Sequence, residues 1–251
     1  MPEQQLKGKV AVIGGASKNL GSLISKTLGE EGASVVVHYN SASSKSPAEE
    51  TVKAVKAAGG DAFAIQGDFT KVADIEKVFQ EAKKRYGGID IAVNTVGKVL
   101  KKPFVETTEE EYDAMFAVNS KTAYFFIREA GRQLNDNGKI ITIVTSLLAA
   151  FTGLYSTYAG GKAPVEHFTR AAAKEFGARG ISVNNVAPGP MDTSFFYPAE
   201  TPDSIAYHKS QSMNGKLTDV KDIAPVVKFL ATDGWWITGQ TIFANGGYTT
   251  R

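Results

Sequence analysis

The stretch "GGASKNLG", residues 14–21, follows a short apolar run at 10–13 and leads into a helix-like segment at 20–29. Glycine at a strand-to-helix turn lets the backbone approach a ligand, and the helix N-terminus offers unpaired N–H groups to a pyrophosphate. From Gly15 to Gly21 the spacing is G-x-x-x-N-x-G, which departs from the usual dinucleotide fingerprint G-x-G-x-x-G. Its place after the first strand nevertheless makes it a candidate phosphate loop.

Outward from that loop, short apolar runs alternate with longer helix-like stretches. Apolar runs at 35–37, 62–65, 89–93, 140–144, 181–186 and 241–244 are separated by helical patterns at 48–58, 75–85, 109–133, 158–176 and 223–230. The runs are rich in Val and Ile and lack polar alternation, as strands buried on both faces do. Strand followed by helix, repeated, predicts an α/β fold with a doubly wound parallel sheet, a Rossmann fold. No boundary or repeat divides the chain, so residues 1–251 read as a single domain. "NSASSKSP", 40–47, reads as a loop, and 188–215, with four prolines, reads as a long loop or lid.

The 251 residues carry a net charge of +2, with 43% hydrophobic and 22% charged residues. That balance gives no basic surface for nucleic acid or membrane. With no cysteine, disulfides, thiolate catalysis and cysteine-ligated metals are excluded. His38, His167 and His208 show no metal-ligand spacing, so no metal is expected. "MPEQQLKGKV" has no apolar leader core, and the reading is a soluble, cytoplasmic protein.

The second strand ends in "VVVHYNSASSK", with no acidic residue to accept a ribose 2′-hydroxyl before Glu49. A 2′-phosphate needs hydroxyls, amides and cations, which Lys18, Asn40, Ser41, Ser43 and Lys45 offer. The expected cofactor is therefore NADPH/NADP+. Further on, "STYAGGK" places Tyr158 and Lys162 one helical turn apart on one face. A cation beside a phenol lowers its pKa and suits it to proton exchange.

Taken in order, these motifs resemble the short-chain dehydrogenase/reductase family along nearly the whole chain. "GGASKNLG" is similar to T-G-x-x-x-G-x-G, with Gly14 for the threonine and Asn19 for the middle glycine. Asparagine tolerates left-handed backbone angles, so the turn is expected to survive. Asp68 in "GDF", "NTVG" at 94–97, Asn119, Tyr158 with Lys162, "APGPMDT" at 187–193 and "TGQTIFANGG" at 238–247 follow the family order. "NTVG" departs from the family's N-N-A-G in its two middle positions, and Asn245 stands where aspartate is usual. The resemblance implies cofactor contacts from Gly15, Ser17, Lys18, Asn19, Leu20, Asp68, Phe69, Asn94, Gly97, Tyr158, Lys162, Pro188, Gly189, Met191 and Thr193.

It also implies chemistry. Tyr158 gives a proton to a carbonyl oxygen, Lys162 lowers the phenol's pKa, and Asn119 supports a water chain that reprotonates the tyrosine. The family's serine lies 13 residues before the tyrosine, which lands on Thr145; Ser146 fits only with a compensating insertion and deletion, and both stay open. Pro164 is expected to kink the helix near Gly160, and Gly160 and Gly161 weaken it. That helix usually forms a subunit interface in the family, so a dimer or tetramer is expected. Phe195, Phe196 and Tyr197 are candidate pocket walls or lid packing. The reading is an NADPH-dependent reductase of a small-molecule ketone or aldehyde, with a keto group on an acyl carrier as a sub-alternative; a catalytically silent NADP(H) sensor or scaffold of the same fold is the alternative.

Overall fold

The computed structural model describes residues 4–250. Seven strands form one parallel sheet: β1 Val10–Gly14, β2 Ser34–Tyr39, β3 Asp61–Gln66, β4 Ile91–Asn94, β5 Lys139–Ile143, β6 Ser182–Pro188 and β7 Thr241–Ala244. Their spatial order is β3-β2-β1-β4-β5-β6-β7. The helices are α1 Asn19–Glu30, α2 Lys45–Ala57, α3 Val72–Tyr86, α4 Glu109–Phe116, α5 Thr122–Gln133, α6 Ser156–Phe176, α7 Pro202–Ser210 and α8 Val220–Ala231.

Alternate residues of each strand feed two cores. Ala11 and Ile13 of β1 pack with α1, α2 and α8, while Val12 packs toward α3, α5 and α6. Ile24, Leu28 and Ile223 lie fully buried in the first core, and Phe79 and Phe126 in the second. Each such side chain stabilises the fold by roughly 1.5–3 kcal/mol. Both faces being covered explains why the strands read as unbroken apolar runs.

The sheet winds outward in two directions from β1 and β4. The crevice beyond the carboxyl ends of those strands is where open α/β sheets bind ligands.

Three expectations need correction. Residues 40–47 are not all loop: a short turn at Ala42–Ser44 runs into α2, which begins at Lys45. Pro47 sits in that first turn, where no backbone N–H partner is lost. The 109–133 helix is interrupted by a π turn at Ala117–Lys121. Residues 188–215 contain α7, started by Pro202 and a capping box in which the Ser204 N–H donates to Thr201 Oγ1 at 3.2 Å. In α6, Pro164 is accommodated within one helical span from Ser156 to Phe176.

Candidate active site

The phosphate loop takes the expected left-handed turn at both ends, with φ of 74° at Gly15 and 51° at Asn19. A Cβ on Gly21 would stand 2.3 Å from the Gly15 carbonyl oxygen, so only glycine closes the turn. Lys18 caps α1 without a side-chain hydrogen bond, and the first turn holds no acidic residue. The helix's leading N–H groups therefore face the crevice with their charge preference unspent. This contrasts with α4, α7 and α8, each of which begins in a capping box.

Two side chains that sequence reasoning passed over hold this loop. Thr95, the departure in "NTVG", donates its hydroxyl to the Gly14 and Gly15 carbonyls at 2.7 and 3.2 Å. His38, at the end of β2, accepts from the Gly15 N–H at Nδ1 (3.0 Å) and donates from Nε2 to the Gly67 carbonyl (2.7 Å). Its ring stacks on Phe69 at 3.5 Å between centroids. Burial pushes its pKa down to about 4, so the imidazole is neutral and its tautomer is fixed by its two partners. The stack also explains Gly14: a Cβ there would lie 3.0 Å from the Phe69 ring.

A crevice of about 410 Å³ opens beyond the loop. Of the expected cofactor set it gathers Gly15, Ser17, Lys18, Asn19, Leu20, Asn40, Asp68, Phe69, Gly97, Tyr158, Lys162, Met191 and Thr193. Ser44 lines it in place of Ser41 and Ser43, which hydrogen-bond each other at 2.9 Å. Lys45 instead pairs with Glu49 along α2 at 3.9 Å. Asn94 is buried beneath the wall, its Oδ1 accepting from the Val96 N–H at 3.0 Å.

Beside the crevice lies a smaller cavity of about 70 Å³ under residues 190–215. Pro188, Gly189, Thr145, Ser146, Phe195 and Phe196 line it; Tyr197 does not, its hydroxyl donating to Asp192 at 2.6 Å. Tyr158 lines both spaces and so stands at their junction.

Around Tyr158 the polar groups are tightly committed. Burial pushes its phenol up to about 12, while the Thr145 hydroxyl, within reach, pulls the other way. The expected lowering by Lys162 is absent from this geometry. Lys162 Nζ donates to the Ile143 carbonyl at 2.9 Å and the Val96 carbonyl at 3.2 Å, and burial pushes it down to about 8. Asn119 sits in the π turn, its amide donating to the Lys98 and Met115 carbonyls and accepting from the Lys98 N–H. Gly161 lets α6 approach that turn: a Cβ there would lie 3.3 Å from the Asn119 Cβ. This accounts for one of the two glycines that weaken the helix.

The family whose profile matches, described as enoyl-(acyl carrier protein) reductase, aligns over residues 15–249. The hydroxynaphthalene reductase-like protein Arp2 of Metarhizium brunneum is 37% identical over 268 aligned positions, covering 98% of this chain and 97% of the relative. The chain belongs to the short-chain dehydrogenase/reductase family. Within it, a crystal structure of a candidate dehydrogenase from Burkholderia cenocepacia with bound NADP is 60% identical, with a TM-score of 0.96 over 100% of this chain and 97% of that one. The angucycline C-6 ketoreductase LanV, also with bound NADP, is 33% identical with a TM-score of 0.90, over 97% and 96% of the two chains. This short-chain dehydrogenase/reductase is an oxidoreductase with its family's fold. Among its described residues no helix is long and apolar enough to cross a membrane.

Proposed function

We propose that the chain is an NADP(H)-dependent carbonyl reductase in which Tyr158 is the general acid. The observation that carries this is the position of Tyr158, shared by the crevice and the cavity under the lid, with Thr145 beside it and Lys162 one turn along α6.

The donor set of the crevice suits NADPH. The uncapped start of α1 offers N–H groups to a pyrophosphate. Lys18, Asn40 and Ser44 line the adenosine end, with no carboxylate at the end of β2 to repel a 2′-phosphate. When bound, NADPH supplies the hydride.

The chain's own residues handle the proton and the substrate. A phenol at about 12 stays protonated at neutral pH, the form a reduction needs. It can still give its proton to an oxygen becoming an alkoxide, a stronger base than a phenolate. Thr145 donates to the same oxygen, as a preorganised hydroxyl does for developing charge. Lys162 holds its charge between two carbonyls near the phenol, and Asn119 holds residues 97–98 against it. Residues 190–215 act as the lid that excludes water. A homo-oligomer belongs to the same proposal, and Trp236, 82% exposed, is apolar surface that such an assembly would cover.

The test is loss of absorbance at 340 nm with NADPH against ketones, aldehydes, diketones and an enoyl thioester. Turnover of a ketone or aldehyde supports the reading. Turnover of the enoyl substrate alone, or tight NADPH binding with no turnover on the whole panel, overturns it.

A further inference from the structure

The cavity that Tyr158 and Thr145 share with the lid is also lined by Tyr155, Glu200 and His208. Glu200 lies in the lid, yet its side chain is only 2% exposed. Lys101 Nζ at 2.6 Å, Ser204 Oγ at 2.6 Å and His208 Nε2 at 3.3 Å all converge on its Oε2. The Tyr155 hydroxyl donates to its Oε1. His208 extends the chain through Nδ1 to the Tyr248 hydroxyl at 2.8 Å.

These partners come from four separate places: the connection after β4, the start of α6, the lid itself and the segment after β7. Burial works to raise the Glu200 carboxyl, but the donors around it outweigh that and keep it ionised. A buried ion pair is a weak source of stability, because an apolar pair of similar volume does as well. What it supplies instead is a geometry that cannot be met halfway, since each donor left unpaired is costly.

The geometry also has a direction. Tyr155 is the N-cap residue of α6 and lies three residues before Tyr158. Whatever holds Tyr155 holds the first turn of the helix that carries the phenol.

We propose that Glu200 is a positioning residue that docks the lid onto Lys101 and, through Tyr155, fixes the first turn of α6 so that Tyr158 and Thr145 face the same substrate oxygen. This rests on the reading of Tyr158 as general acid. Glu200 does not line the cofactor crevice. Its loss therefore acts on the chemical step and on lid docking, and not on cofactor affinity.

The experiment compares Glu200→Gln, Tyr155→Phe and Lys101→Met with the unmodified protein. Three readouts are used: kcat, NADPH Kd by fluorescence, and the rate of chymotrypsin cutting at Phe195–Tyr197. Glu200→Gln keeps the size but sets an amide against three donors. It is expected to lower kcat about tenfold, the worth of one misplaced charge-assisted hydrogen bond. NADPH Kd is expected to be unchanged and lid cleavage faster. Tyr155→Phe is expected to lower kcat with less effect on cleavage, and Lys101→Met to speed cleavage. Glu200→Gln combined with Tyr155→Phe should lose no more kcat than Glu200→Gln alone, as groups acting through one another do.

Unchanged kcat and cleavage in Glu200→Gln overturn the proposal, as do fully additive losses in the double variant. If Glu200→Gln does not fold, Tyr155→Phe, which removes one hydroxyl, carries the test. If the unmodified protein turns over no carbonyl, the reading of Tyr158 fails. Cleavage then still decides the docking role: an unchanged rate in Glu200→Gln overturns it.

Discussion

The phosphate loop at the mouth of the dinucleotide crevice is held by backbone and neutral side chains, whereas the cavity under residues 190–215 closes on a buried carboxylate. At the first end His38, Thr95 and two left-handed turns fix the phosphate loop, and a space of about 410 Å³ stands open. At the second, about 70 Å³ remains, and Glu200 gathers partners from three segments. Neutral, short-range contacts preform a site that can bind one cofactor over and over. On the proposal for Glu200, charged contacts across residues 190–215 make a site whose shape depends on their docking.

That contrast can be broken most forcefully at Gly21. In Gly21→Ala the new Cβ would stand 2.3 Å from the Gly15 oxygen and 2.9 Å from Thr95 Oγ1. NADPH binding should weaken ~100-fold, the equivalent of about 3 kcal/mol of overpacking, as fluorescence titration would show. Retained affinity would mean that the loop is not preformed.

His38 tests the same end through pH. Its folded pKa, about 4, lies below the ordinary 6.5, so its contribution is present above pH 6.5 and is lost as pH falls toward 4. Over that window the protein should lose about 3 kcal/mol of stability that His38→Asn, less stable at pH 7, does not lose. Urea unfolding at pH 7 and pH 4 makes the comparison, and parallel losses in the two proteins would remove His38 from the account.

At the substrate end, Thr145→Ala should lower kcat about 10²-fold, as loss of a donor to developing negative charge does. Ser146→Ala should change it by only a small factor. The reverse ranking would move the substrate-holding hydroxyl to Ser146. The smallest effect is expected at Lys18, where Lys18→Ala should reduce the preference for NADPH over NADH about tenfold, one charge-assisted contact. Equal use of the two cofactors before any substitution would contradict the reading of the 40–45 segment.

What the sequence made legible was local. Tyr158 and Lys162 stand one turn apart whatever the rest of the chain does, and Gly15 and Asn19 announce a turn by their own backbone freedom. The unreadable parts depend on distant partners. His38 works only because Gly15 and Gly67 come to it, Thr95 because Gly14 lies on the next strand, and Glu200 because Lys101 and Tyr155 close around it. The raised pKa of Tyr158 is not legible for the same reason, because burial is a property of the packed molecule. By contrast, α7 left a local trace in Thr201, Pro202 and Ser204, hidden among the prolines around it.

Tyr158→Phe, with kcat and NADPH Kd measured on the same preparation, tests the account at the junction of the two ends. The account predicts a kcat lowered roughly 10²–10⁴-fold and an NADPH Kd within about twofold of the unmodified protein. A variant that keeps its turnover, or that loses NADPH binding together with it, would contradict the account.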